Sequence, residues 1–300
     1  MRRLTLPQFL AERRIPFSER EDLSRHTSIR CGGRCSVFIT PHKKEDLVAC
    51  AEFLSRGGYP WHLVGRMTNT LPPDGMCEDV FLSTCAMQEI RIIGDRAEVA
   101  AGVGMAALAK TLLERERFAF APLAGIPGTL GGAVRGNAGA FGKETADAVI
   151  SCEIYSLTEG KTLTVPREQM HFSYRRSRLC ENPEEILLSV LYAAPHSDRR
   201  TVEEEIDRLR AVRRASQPIG EPSLGSVFLR VGDRSAAWYI DRVGGKGLSV
   251  GGAKISEKHA GFIVNTGGAT AHDVRTLAEE IRRKVHASYG VFLTPEITIL

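Results

Sequence analysis

Residues 125–142 read Gly-Ile-Pro-Gly-Thr-Leu-Gly-Gly-Ala-Val-Arg-Gly-Asn-Ala-Gly-Ala-Phe-Gly, and seven of these eighteen are glycine. A glycine held in a folded segment gives up more chain entropy than any other residue. Such density needs a reason: positive φ, or a ligand that must come close to the backbone. Successive exposed N–H groups in such a loop form a concavity suited to a diphosphate. Ile126, Leu130, Val134 and Phe141 make the segment too apolar for an idle surface loop. A second segment, Gly65-Arg-Met-Thr-Asn-Thr-Leu71, follows the β-rich run Trp61-His-Leu-Val64. Strand ends in α/β units are where anionic ligands bind. Neither segment matches G-x-G-x-x-G opening a helix or G-x-x-x-x-G-K-[ST], so a Rossmann site and a P-loop are both poorly supported. The seven cysteines are odd in number and irregularly spaced, which describes no disulfide framework. Cys31 and Cys35 form a lone CxxxC without a second pair, so no metal site is expected and the thiols read as buried and reduced.

The elements that must position these segments follow from periodicity. Residues 1–20 read as an amphipathic helix and a turn at Pro16. A strand over 36–40, a helix over 44–56 with Leu47, Val48, Ala51 and Leu54 on one face, and the strand over 61–64 make a βαβ-like unit. Gly57-Gly58 stops the helix, and Pro72-Pro73-Asp74-Gly75 turns the chain. Short strands are expected over 80–83, 90–93, 97–101, 151–157, 161–165 and 186–193, with a helix over 104–116. Thr201-Val-Glu-Glu204 reads as a capping box opening a helix, and the polar join before it marks a domain boundary. Thr270-Ala-His-Asp273 caps a long helix to Ser288 that Gly290 ends, and residues 291–300 read as a closing strand.

Three hundred residues allow two or three packed units. The net charge is +4 with scattered Lys and Arg, a poor match to a nucleic-acid surface, so no nucleic-acid partner is expected. No run approaches a membrane span, and no unbroken apolar stretch follows the two early arginines. The chain reads as cytoplasmic, without a membrane partner, and as a monomer with a homodimer also open.

The succession Thr27-Ser-Ile-Arg-Cys-Gly-Gly33, Gly65…Asn69, Gly125-Ile-Pro-Gly-Thr-Leu-Gly-Gly-Ala133, Asn137-Ala-Gly139, Tyr174-Arg-Arg-Ser177, Gly225-Ser-Val-Phe228 and Pro295-Glu296 resembles the UDP-N-acetylenolpyruvoylglucosamine reductase family. The likeness covers roughly residues 22–300, in the family's order, and its spacing looks like the shorter form that lacks an extra substrate-covering loop. The resemblance implies an α+β fold: a two-part FAD-binding unit of the vanillyl-alcohol-oxidase/PCMH type and a smaller α+β substrate-binding domain. Residues 1–82 would be the first FAD subdomain, 83–200 the second together with the closing strand 291–300, and 201–290 the substrate domain.

The reaction so implied has two halves. NADPH reduces bound FAD and leaves; the enolpyruvyl UDP-sugar then takes a hydride at C3, and C2 carries an enolate that needs stabilisation and a proton. By resemblance Arg175 is the catalytic arginine, whose planar fork holds the substrate carboxylate. Ser226 would protonate C2, and Glu296 would orient or polarise. A carboxylate inside an apolar strand such as Ile297-Thr-Ile-Leu300 is costly unless paired, a separate reason to single out Glu296. The family's FAD contacts fall on Gly65, Thr68, Asn69, Thr70, Leu71, Gly102, Gly125, Ile126, Pro127, Gly128, Thr129, Gly132, Ala133, Asn137, Ala138 and Gly139. Its substrate contacts fall on Tyr174, Arg230 and Lys254, with Lys246 and Lys258 as further candidates for the UDP phosphates, whereas His259 reads as a structural hydrogen-bonder.

The chain departs from the family's pattern in three places. Arg66-Met67-Thr68 replaces a second glycine and a serine, Arg135 stands where the family is apolar, and Leu229-Arg230-Val231 replaces a Lys-Asn-Pro run. Two other readings stay open at the level of sequence: a non-catalytic paralogue that binds flavin or UDP-sugar weakly, or another FAD oxidoreductase of the same fold.

Overall fold

The computed structural model describes residues 4–300 and is α+β. The first three residues of the expected N-terminal helix lie outside the described residues. The helix spans Leu6–Glu12, seeded by Thr5 and Pro7, and a strand, Phe17–Glu19, follows it. The expected run of helix and turn to residue 20 is therefore too long, because Pro16 commits the chain to extended backbone.

By contact density the chain divides into two compact units. The first comprises residues 1–19, 37–65 and 79–210. Its smaller sheet, in the residues that belong to this unit, runs in the order Phe17–Glu19, 37–39, 79–83, Trp61–Val64, with the last two parallel and Trp61 opposite Val80. Helix Lys44–Gly57 connects Arg34–Ile39 to Trp61–Val64. It buries Leu47, Cys50, Ala51 and Leu54, the i, i+3, i+4, i+7 face, and Gly58 ends it at φ +69°. The larger sheet is antiparallel, ordered Lys161–Pro166, Val149–Ser156, Glu185–Ala193, Arg96–Ala100, Ile90–Ile93. Helix Met105–Leu113 adds Leu108 and Leu112 to a core shared with Val99, Ile154 and Val190. Each such fully buried aliphatic contributes about 1.5–3 kcal/mol.

The second unit comprises residues 20–36, 66–78 and 211–300. Strands Ser223–Ser226, Phe262–Asn265, Ala253–Ile255 and Ser249–Val250 form an antiparallel sheet. Helix Ala271–Tyr289 packs Val274, Leu277, Ile281 and Val285 into the same core as Leu224 and Ile263, and Gly290 closes it in the left-handed conformation. Helix Ala236–Arg242 was not foreseen from the sequence.

These units cut the chain elsewhere than the sequence-derived partition. Helix Arg199–Ser216 begins before the expected join at 200/201, because the Asp198 carboxylate, not a Thr201 box, accepts from the Thr201 backbone N–H. The closing strand is only Thr298–Ile299, paired parallel to Thr70–Leu71, and residues 291–300 group with 66–78 and 211–290.

Candidate active site

The glycine-rich segment is in part a helix, Leu130–Arg135, and not a loop throughout. Thr129 caps it through Oγ1, which accepts from Gly132 N at 3.2 Å. Gly131, Gly132 and Gly136 therefore stand in or beside the helix, and Gly128 (φ +108°) and Gly142 (φ +78°) are the segment's glycines at positive φ. Close approach explains others. A β-carbon on Gly65 would come within 2.4 Å of Thr129 Oγ1, and one on Gly102 within 1.8 Å of the Thr84 carbonyl. Gly102 thus has a packing reason of its own, reinforced by Gln88 Nε2 donating to its carbonyl at 2.7 Å. Along the segment Ile126, Thr129, Leu130, Ala133 and Val134 are buried, while Gly125, Pro127 and Gly132 are exposed. Apolar side chains anchor inward, and small residues leave a bare strip of backbone on the surface. Residues 121–143 contain no Asp or Glu. A surface of glycine and proline without acids leaves room for the close approach of a dinucleotide's diphosphate.

Asn137 faces the other way. It is fully buried at φ +39°; Nδ2 donates to Glu144 Oε2 (2.8 Å) and to the Ser173 carbonyl (3.0 Å), and Oδ1 accepts from Ala146 N (3.0 Å). Its side chain is spent within the protein, and Thr145 ties Ala138 in the same way through that carbonyl. Arg175 is the third residue of the tight turn Ser173–Arg176, closed by two backbone bonds of 3.1 Å. It sits at φ +58°, a conformation that costs a residue with a β-carbon about 1–2 kcal/mol. Its guanidinium carbon lies 5.0 Å from the centroid of the Tyr174 ring, and Tyr174 is exposed.

In the second unit the loop 66–71 is held from behind. Thr27 Oγ1 donates to the Met67 and Thr70 carbonyls at 3.2 Å each, and Ser28 Oγ donates to the Ser223 carbonyl at 2.6 Å. That is the structural use of the Thr27-Ser28 motif, to which the sequence reading gave no role. Met67 takes φ +46° and is 3% exposed, so its side chain points into the interior and leaves the outer face of the loop clear. Thr68 and Thr70 are half-buried, Leu71 is buried, and Asn69 Nδ2 donates to the Glu296 carbonyl at 2.9 Å. Both Asp74 carboxylate oxygens accept from the first amides of helix Ala271–Tyr289, Ala271 N and His272 N, at 2.8 Å each. The sequence marked Asp74 as a turn residue only; a partner nearly two hundred positions away left no local signal.

Ser226 and Glu296 come together here. Gly225 at φ +77° turns the chain into Ser226, which pairs with Phe262. The next residue, Val227, donates to the Gly261 carbonyl (2.9 Å) and accepts from Glu296 N (2.8 Å), and Phe228 bridges to Pro295. Glu296 is half-buried and Ile299 exposed, so the final run is not sealed on both faces, and the cost expected of a carboxylate within it is smaller than the apolar sequence suggested. Lys254 pairs with Glu257 at 3.0 Å, Lys246 lies 3.3 Å from Asp241, and Lys258 donates to the Arg214 carbonyl. Arg230 is exposed. His259 is structural as expected: Nδ1 accepts from Gly261 N at 3.1 Å, and burial holds its pKa below the usual histidine value.

Four of the seven cysteines are buried; burial pushes the thiols of Cys31, Cys35, Cys50 and Cys152 up to about 12. Cys77, Cys85 and Cys180 are only half-buried, which corrects the expectation for all seven. All seven are free thiols, and the described residues contain no cluster that could hold a metal ion.

Known proteins carry the same pattern. Residues 35–166 match the family model of an FAD binding domain, and residues 217–300 match that of the UDP-N-acetylenolpyruvoylglucosamine reductase C-terminal domain. A protein of that name from Caldanaerobacter subterraneus subsp. tengcongensis is 35% identical over 93% of this chain and 92% of its own length. One from Geobacter sulfurreducens is 38% identical with the same coverage. The crystal structure of the Thermus caldophilus reductase superposes with a TM-score of 0.78 at 27% identity, covering 95% of this chain and 98% of its own. With that likeness running the length of the chain, and with both the FAD-binding and the C-terminal models matched in order, the chain belongs to the UDP-N-acetylenolpyruvoylglucosamine reductase family.

Proposed function

We propose that this protein is an FAD-dependent, NADPH-driven oxidoreductase that reduces UDP-N-acetylglucosamine enolpyruvate to UDP-N-acetylmuramate for peptidoglycan synthesis. The observation that carries the reading is the likeness to named reductases over 93% of the chain. When bound, the flavin supplies the redox chemistry, accepting a hydride from NADPH and giving one up to the enol ether. The protein's own work is to bind, orient and polarise. The backbone along 125–133 holds the FAD diphosphate, and Gly65, Thr68, Asn69, Thr70 and Leu71 are further FAD contacts. Arg175 grips the substrate carboxylate with two parallel N–H donors and stays charged as the enolate forms. Ser226 then gives its proton to C2; a hydroxyl is acidic enough only against so strong a base. Glu296 orients the groups around that transfer. Tyr174, Arg230 and Lys254 contact the UDP-sugar.

In this reading residues 1–82 and 83–200 serve the cofactor and 201–290 the substrate, a division of roles and not of compactness. The protein works in the cytoplasm as a monomer, and its product feeds cell-wall growth and, through it, cell shape and division. No described helix is long and apolar enough to cross a membrane.

The test is spectroscopic. Purified protein supplied with FAD is expected to show bound-flavin absorbance, to bleach on anaerobic NADPH addition, and to regain colour when UDP-N-acetylglucosamine enolpyruvate is added. Protein that never binds flavin, or whose reduced flavin ignores the substrate, rules the assignment out.

A further inference from the structure

We propose that Asn137 and Glu144 are positioning residues that hold the Arg175 turn in its working conformation. The inference rests on the reductase reading, in which Arg175 touches the substrate carboxylate. Arg175 occupies a left-handed conformation that glycine adopts freely and arginine does not, so something outside the turn must hold it there. The turn is clamped at both ends, by the last residue of helix Leu130–Arg135 and by Asn137 just after it. On one side Asn137 Nδ2 donates to the Ser173 carbonyl (3.0 Å); on the other Ser177 Oγ donates to the Arg135 carbonyl (2.9 Å).

The first clamp is itself over-determined. The two Nδ2 protons of Asn137 go to different acceptors, Ser173 O and Glu144 Oε2, and Oδ1 takes the Ala146 amide. Reversing the amide would turn its oxygen onto two acceptors and its donors onto an N–H, so one orientation alone satisfies the set. Glu144 supplies the charged acceptor that makes this the stronger bond. Asn137 and Ser177 are buried, while Glu144 is half-buried and Ser173 exposed, so it is the Asn137 amide and the Ser177 hydroxyl whose lost partners water cannot replace at little cost. The same short stretch, 135–139, runs on from the backbone strip proposed to cradle the diphosphate, which links the arginine's position to the cofactor's own support.

The test uses the full chain with FAD bound. Asn137→Gly keeps the left-handed backbone and removes the side chain. Glu144→Ala removes the acceptor, and Glu144→Gln retains one. Stopped-flow measurement is expected to show reoxidation of reduced flavin by the enolpyruvyl substrate falling about 100-fold further than flavin reduction by NADPH in Asn137→Gly, the cost of a roughly 1 Å misplacement. Glu144→Ala is expected to follow it and Glu144→Gln to restore most of the loss. In cofactor-free protein, hydrogen exchange at the Arg176 amide, which closes the turn, is expected to quicken in Asn137→Gly and not in Glu144→Gln. Equal losses in both half-reactions, loss of flavin, or unchanged exchange at Arg176 overturns the proposal. Should Asn137→Gly fail to fold, Ser177→Ala cuts the other clamp and is read in the same way. Unmodified protein whose reduced flavin ignores the substrate overturns the reductase reading as well, whereas a failure confined to the variants overturns only the positioning role.

Discussion

Ser226 follows a glycine at φ +77° and precedes a residue bonded on both sides, to Gly261 and to Glu296. The hydroxyl is therefore carried on backbone fixed by two neighbouring segments, as a proton donor must be if it is to meet C2 in one geometry. Ser226→Ala is expected to leave NADPH reduction of the flavin near its normal rate and to slow the second half-reaction by roughly 10²–10⁴-fold, the usual worth of a positioned acid. Rapid-mixing absorbance reads both, and equal loss in the two halves would reject the role. Residue types at this scale were legible in the sequence, but their conformations were not. Arg175 was identifiable as a fork for a carboxylate, yet nothing local foretold its positive φ, and the ends of its turn bond to Asn137 and Arg135, about forty positions away. Met67 stands where the resemblance places a glycine; burial turns its side chain inward.

Between helix Lys44–Gly57 and the large sheet, Lys44 Nζ lies 3.2 Å from Glu98 and 2.5 Å from Glu153, and Ser189 Oγ donates to Glu153 at 2.6 Å. Burial resists ionisation of Glu153, but the bonds from Lys44 and Ser189 outweigh it and hold the carboxyl below its usual pKa of 4.5. A depressed carboxylate adds stability above its unfolded pKa and loses it as pH falls through the folded one. Glu153→Gln is thus expected to cost about 1 kcal/mol at neutral pH. The gap to the unmodified protein should close below pH 4.5, and denaturant titrations showing a constant gap down to about pH 3 would refute the pairing. Elements of this kind were readable from periodicity where one face is buried, as in helices Lys44–Gly57 and Ala271–Tyr289. Helix Leu130–Arg135 was not readable, because its glycines argue against helix and only the Thr129 cap and its packing around Ala101 and Val103 decide for it.

Over the whole molecule, a cofactor that binds only folded protein adds stability by mass action, about 2.7 kcal/mol at a hundredfold excess over Kd. Stripping FAD is expected to lower the melting temperature by about 4 °C, with re-addition restoring it. Calorimetry with and without FAD checks this, and a transition that FAD leaves in place counts against a diphosphate cradle on 125–133. By itself the sequence determined the order of most strands and helices, because hydrophobic period and residue type are local properties, and a set of motifs whose resemblance to one reductase family implied the α+β fold. Only the tertiary structure decided that Met67 points inward, that Asp74 caps helix Ala271–Tyr289, that Thr298–Ile299 pair with Thr70–Leu71, and that Ser226 and Glu296 lie on bonded neighbouring segments. Each of these is a hydrogen bond or burial between residues tens to hundreds of positions apart, and such partners are fixed by packing and not by sequence spacing.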